Sequence, residues 1–138
     1  MTDRLLITFG VLLYAVAVPW LELDDTHLFN PLWPPHARLH EAWQLITNCA
    51  LGLAALWLAW VRGATRQAAG IALLVMGGFL VALLLQDLYG GSMRHNDGTE
   101  RTVLGLNTGV LGAALAVLAA ALVLWRTRGT PAGERRHA

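Results

Sequence analysis

Apolar residues in this chain fall neither on one stripe nor on alternate positions. They run in long blocks, and the polar residues collect between the blocks. Four blocks carry no charge: Leu5 to Leu21, Ala42 to Val61, Gln67 to Gln86 and Thr102 to Trp125. A helix rises about 1.5 Å per residue, so about 20 residues cross a hydrocarbon core roughly 30 Å thick. Lipid offers no partner to a backbone N–H or C=O, so each block is expected to be helical, and none has the strict alternation of a transmembrane barrel strand. The pattern predicts an all-α integral membrane four-helix bundle over residues 1–128, followed by a disordered basic tail over 129–138 that contains Pro131 and Gly133.

Composition agrees with this class. The chain is 56% hydrophobic and 14% charged, with a mean hydropathy of +0.51, which leaves too little polar surface to solvate a globule of 138 residues. All ten basic residues are Arg. Seven of them (4, 62, 66, 126, 128, 135 and 136) fall on one side of a four-span topology, and Arg38, Arg94 and Arg101 fall on the other. The positive-inside rule then places both termini in the cytoplasm. Acids distribute oppositely, with Asp3 and Glu134 inside and the other seven outside, giving about +5 inside and −4 outside. A bacterial-type inner membrane is the expected location. A second reading of the first block, as a secretory signal ending at Ala15-Val16-Ala17, leaves the following loop outside as well.

That loop is the most polar part of the chain. Leu23 to Glu41 holds three of the five His and three of the five Pro, with Trp33 among them. Pro34 or Pro35 suits the first position of the second helix, where a missing N–H is harmless. From that start His36 and His40 form an i, i+4 pair, Gln44 and Thr47 continue the stripe, and Glu41 and Asn48 flank it. The third block ends in Gln86-Asp87, and the fourth carries Asn107 near its start. Polar groups at membrane depth face a bundle interior or a wet cavity. Three helices supplying them at one level predict a polar pocket open to the outer side and closed below by apolar packing. The segment from Asp24 to Asn30 is expected to fold over its mouth.

Within this constellation His36, His40, Glu41 and Asp87 are the candidates for proton transfer, because a carboxyl beside an imidazole can be tuned toward neutral pH. Asp24, Asp25, His27, Asn30, Trp33, Trp43, Gln44, Asn48, Gln86 and Asn107 are the candidates for contacting a ligand. His36 and His40 on one helical face, completed by Glu41, Asp24, Asp25 or His27, also make a metal-ligand set; the pair lacks the internal Glu of the H-E-x-x-H pattern, and no metal or other cofactor is expected. Cys49, alone in the second block, reads as a small packing residue. Gly105 and Gly109 form a G-x-x-x-G pair that offers a homodimer seam on the fourth helix.

The long Pro- and Trp-containing first loop, the polar start of the second helix, Glu41 within it and Asp87 after the third resemble the EXPERA-type membrane proteins, the group of emopamil-binding sterol isomerases and sigma-2-type receptors. That resemblance implies a four-helix fold holding a sterol or lipophilic amine among acids, a His and aromatics. The His-x-x-x-Glu pattern of the isomerases stands here as His36-x-x-x-His40 followed by Glu41. DoxX-like four-helix proteins are a second architectural likeness. The chain has no phosphate loop, C-x-x-C, G-x-S-x-G or basic-aromatic stripe for nucleic acid. Its apolar cytoplasmic halves argue against a channel. Three readings remain: a binder of a small sterol- or isoprenoid-like molecule, with isomerase-type acid/base chemistry as its enzymatic form; a non-catalytic accessory subunit of a membrane complex; and a His/carboxylate metal-binding membrane protein.

Overall fold

A computed structural model describes residues 1–95 and 97–129. The tail expected from 129 onward lies, apart from Gly129, outside the described residues. Four helices are long and apolar enough to cross a membrane: α1 (Thr2–Glu22), α2 (Pro35–Trp60), α3 (Thr65–Leu84) and α4 (Thr108–Arg126). Each packs on the next, α4 closes back on α1, and α1 also touches α3 across the diagonal. The tight turn between α2 and α3 makes those two antiparallel.

Small side chains permit this closure. The interior is built largely from Ala55, Ala59, Ala68, Ala69, Ala72, Ala113, Ala116 and Ala120 around Ile7, Val11, Tyr14 and Val123. Large apolar side chains point outward instead, as with Leu53 at 70% and Leu74 at 78% exposure. Alanine surfaces let helices approach closely where lipid removes the usual drive to hide Leu and Val.

The first helix is not uniform, and Pro19 accounts for that. A proline has no N–H to offer the carbonyl four residues earlier, which here is Ala15. The backbone widens into a π-helical turn over Leu13–Ala17, and the Cys49 thiol of α2 donates to the Ala15 carbonyl at 3.4 Å. Local π geometry and a neighbouring helix are known ways to re-satisfy backbone freed by proline. Cys49 therefore supplies a hydrogen bond as well as volume. Gly52, one turn further along α2, makes the close approach possible: a Cβ there would lie 2.5 Å from Ala15 Cβ and 3.1 Å from Val11 Cγ1.

Two helix starts differ from the block boundaries. Helix α2 begins at Pro35, with Pro34 as its N-cap, so His36, Arg38, His40 and Glu41 are helical. Helix α4 begins at Thr108, not Thr102. Residues Thr102–Val103 pair instead with Leu106–Asn107 as a two-stranded hairpin. Its turn residues Leu104 and Gly105 have φ of 53° and 79°, the left-handed pair that a tight type I′ connection demands. Gly105 thus leaves the helix, and the G-x-x-x-G pair loses its first member. Asn107 then ends the hairpin and caps α4, its Oδ1 accepting from the Gly109 and Val110 N–H groups at 2.9 and 3.2 Å.

The two ends of the bundle differ in chemistry. At one, Arg4 stacks over Trp60 and Arg62 over Trp57, while Arg126 reaches Asp3 at 3.4 Å. At the other lie the loop 23–34, the segment 85–101 and the hairpin.

Candidate functional site

The loop 23–34 folds around Asp24. Its Oδ1 accepts from the Thr26 N–H at 2.9 Å, the Thr26 hydroxyl at 2.7 Å and the His27 N–H at 3.2 Å, a local turn that short acidic side chains favour. Its Oδ2 accepts from Arg101 Nη2 at 2.9 Å, tying the loop to the chain just before the hairpin. Asn30 is buried and closes the far side of the turn. Its Nδ2 donates to the Thr26 carbonyl at 3.1 Å, and its Oδ1 accepts from the Leu32 N–H at 2.9 Å.

These bonds fix His27 at the centre of the cluster. Its Nε2 lies 3.0 Å from Glu22 Oε2 at the end of α1. Its Nδ1 lies 2.8 Å from Thr26 Oγ1 and 3.4 Å from Asp24 Oδ1. The ring meets Trp33 and His95 edge-on, with centroids 6.0 and 5.0 Å away. Asp24 as a carboxylate only accepts, so it takes the Thr26 hydroxyl and the two N–H groups. The contacts form a chain running Asp24, His27, Glu22, with Nδ1 on the Asp24 side and Nε2 on the Glu22 side.

Burial pushes the Asp24 carboxyl up, but the Thr26 hydroxyl and N–H, His27 and Arg101 overcome it and hold Asp24 well below the usual carboxylate range. Burial also pushes His27 down from its ordinary value of 6.5, with Asp24 opposing only in part. A lowered histidine contributes stability that is complete above 6.5 and is lost as the pH falls below that value and through the lower value of the folded protein. Asp24 stays ionised throughout this window. Loop 23–34 is therefore expected to loosen as the pH drops below 6.5, read as lower amide protection at Thr26 and His27 once each rate is divided by its intrinsic rate at that pH, and a His27→Gln variant is expected to lose that change in protection.

Beneath the cluster lies a cavity of about 620 Å³, within the range of sites for drug-sized molecules. Helix α1 contributes Tyr14, Val18 and Glu22, helix α2 contributes Glu41, Gln44 and Asn48, and helix α3 contributes Val75, Gly78, Phe79 and Ala82. Thr26, His27 and Trp33 come from the first loop, and Gln86, Tyr89, Met93, Arg94 and His95 from beyond α3. Carboxyls, imidazoles and amides gather toward the loops. The α3 wall is apolar.

Among the residues anticipated as ligand contacts, His27, Trp33, Gln44, Asn48 and Gln86 line this cavity, as does Glu41 from the proton-transfer set. Asp24 and Asn30 instead hold the loop that carries His27. Asp25 and Asp87 are exposed and outside the cavity wall. Asn107 caps α4, and its Nδ2 donates to Glu100 at 3.0 Å. His36 and His40 sit elsewhere on α2, both exposed, with Nε2 atoms 3.0 Å apart. Trp43, 65% exposed, lies beside His40, and with Gln44, Thr47 and Asn48 these two line only a shallow depression. No group of three or more His, Cys, Asp or Glu among the described residues is placed to hold a metal ion.

Glu22, Tyr14 and His95 were absent from the anticipated site. For the first two the signal was present: Tyr14, Val18 and Glu22 are spaced by four, which puts them on one helical face. Comparison with family models, with curated proteins and with solved structures gave no match to this chain.

Proposed function

We propose that this protein is a multi-pass membrane protein that holds a small lipophilic molecule, of sterol or isoprenoid size, in the cavity under loop 23–34. The loop end is taken to face outward and the Arg-rich end the cytoplasm, as in a bacterial inner membrane. The observation that carries this reading is the two-sided lining of the cavity. Val75, Met76, Phe79 and Leu83 offer an apolar wall, while Glu22, His27, Glu41 and Gln44 offer a polar rim. Such a surface suits an apolar body with a polar head.

A second reading is favoured by the 3.0 Å contact between Glu22 and His27. A carboxyl and an imidazole sharing one proton can pass it to a bound molecule and recover it, as isomerase-type acid/base chemistry requires. In this reading Glu22 and His27 perform the exchange, Asp24 orients His27, and Glu41 faces them across the cavity.

Native mass spectrometry of the detergent-purified protein tests the binding reading. The expected spectrum contains a retained lipophilic molecule at fixed stoichiometry, lost in Gly78→Leu. Gly78 lines the cavity, and a Cβ there meets nothing within 4 Å, so leucine fills the space without displacing the fold. A wild-type protein that carries no such molecule, or a Gly78→Leu protein that retains it, overturns the proposal.

A further inference from the structure

The Tyr14 hydroxyl is buried and unsatisfied among the described residues. The side chain is 0% exposed, and its oxygen finds no hydrogen-bond partner among the described residues, yet Tyr14 forms part of the cavity wall. A buried hydroxyl without a partner destabilises the fold that contains it. A phenylalanine would fill the same space at no such cost. Tyr14 also lies in the π-helical turn Leu13–Ala17, a backbone feature that recurs at functional sites.

Depth gives the missing partner a place. Tyr14 precedes Glu22 by two four-residue steps on the same face, which places it about 12 Å further along the helix axis from the polar rim. Asn48 lies near this level, because its neighbour Cys49 touches Ala15, and it too lines the cavity. Residues that carry hydrogen-bonding groups thus border the cavity at both levels, with Val18 between Tyr14 and Glu22 on the same helix and Val75 and Phe79 in the apolar wall.

We infer that Tyr14 recognises the inner end of the bound molecule, which is an amphipathic lipophile carrying a hydroxyl or carbonyl oxygen at each end of an apolar body about 12 Å long. This rests on the binding reading above and adds the chemistry of the ligand. One oxygen meets the rim at Glu22 and His27, and the other exchanges a hydrogen bond with the Tyr14 hydroxyl at the floor. A molecule polar at one end only leaves Tyr14 unpaired and binds more weakly.

A matched pair of probes tests this on the detergent-solubilised full chain: decanediol with hydroxyls at both ends, and decanol with one. Affinities are measured by saturation-transfer NMR for wild type and Tyr14→Phe. Taking the ratio of the two affinities in each protein cancels their different partitioning into detergent. The wild-type ratio is expected to favour the diol by about three- to tenfold more than the variant ratio, the effect of one net hydrogen bond. Decanol affinity is expected to be equal in the two proteins. Ligand-free Tyr14→Phe is expected to melt at the same temperature as wild type or higher, whereas a hydroxyl needed for folding would lower it. Equal ratios in the two proteins, with both probes binding, overturn the role of Tyr14 and leave the cavity reading standing. A lower melting temperature for Tyr14→Phe overturns it as well. Failure of both probes to bind either protein overturns the cavity reading itself, and the inference with it.

Discussion

Asp24→Ala is expected to open loop 23–34 while leaving the helical bundle intact. One carboxylate accepts from the Thr26 N–H and hydroxyl, from the His27 N–H and from Arg101. Hydrogen bonds to a charged group contribute about 1.5–3 kcal/mol each. Those sharing a residue do not add, so the local loss is put at about 2–3 kcal/mol. At about 1.4 kcal/mol per factor of ten, amide exchange at Thr26 and His27 should quicken by roughly two orders of magnitude. Exchange in α2 and α3 should not move. Asp24→Asn keeps a carbonyl oxygen for Thr26 but removes the charge opposite Arg101, and its effect should be the smaller. The functional result follows from His27, which loses the Asp24 oxygen beside Nδ1 and the turn that holds Thr26 against it, together with its position over the cavity. Unchanged exchange in Asp24→Ala would mean that the loop is held by Trp33 and Asn30 instead.

Gly52→Ala is expected to disturb the bundle at its tightest point. The added methyl would sit 2.5 Å from Ala15 Cβ, closer than real Cβ atoms approach, and a tight 3.1 Å from Val11 Cγ1, so α1 and α2 must separate. Overpacking of this kind costs about 1–3 kcal/mol. Here the separation also strains the thiol contact that serves the Ala15 carbonyl and shifts Tyr14, whose ring is 3.5 Å from the same point. Gly52→Leu should go further and yield no monodisperse folded protein. Gly78→Leu is the control, since open space surrounds that position. Circular dichroism melts of the purified variants should rank Gly78→Leu near wild type, Gly52→Ala below it, and Gly52→Leu without a cooperative transition.

The four helices were legible because uncharged blocks of spanning length have one solution in a medium without water. The start of α4 was not, because Val103, Leu104 and Leu106 are as apolar as the helix that follows and merge with it. The correction was carried by local chemistry: a glycine able to take positive φ at 105, and an asparagine cap at 107. Facing was the harder problem. In a soluble helix polarity marks the outer face, but α2 has apolar residues all round, so its polar stripe carried no reference direction. The spacing makes His36, His40, Gln44 and Thr47 the pocket-facing stripe, with Glu41 and Asn48 at its flank. In the fold Glu41, Gln44 and Asn48 face the cavity, while His40 lies beside Trp43 in the shallow depression and His36 is exposed next to His40. Glu22 went unread because it closes a helix where an acid looks merely interfacial, and only the position of His27 gives it a partner.

The crystal structure of the protein purified with its retained molecule, grown from a lipid mesophase, tests the central claim most directly. The account predicts elongated density inside the bundle, running from Tyr14 to the Glu22 and His27 pair and flanked by Val75 and Phe79. A cavity holding only water, with lipid confined to the outer faces of the helices, would contradict it.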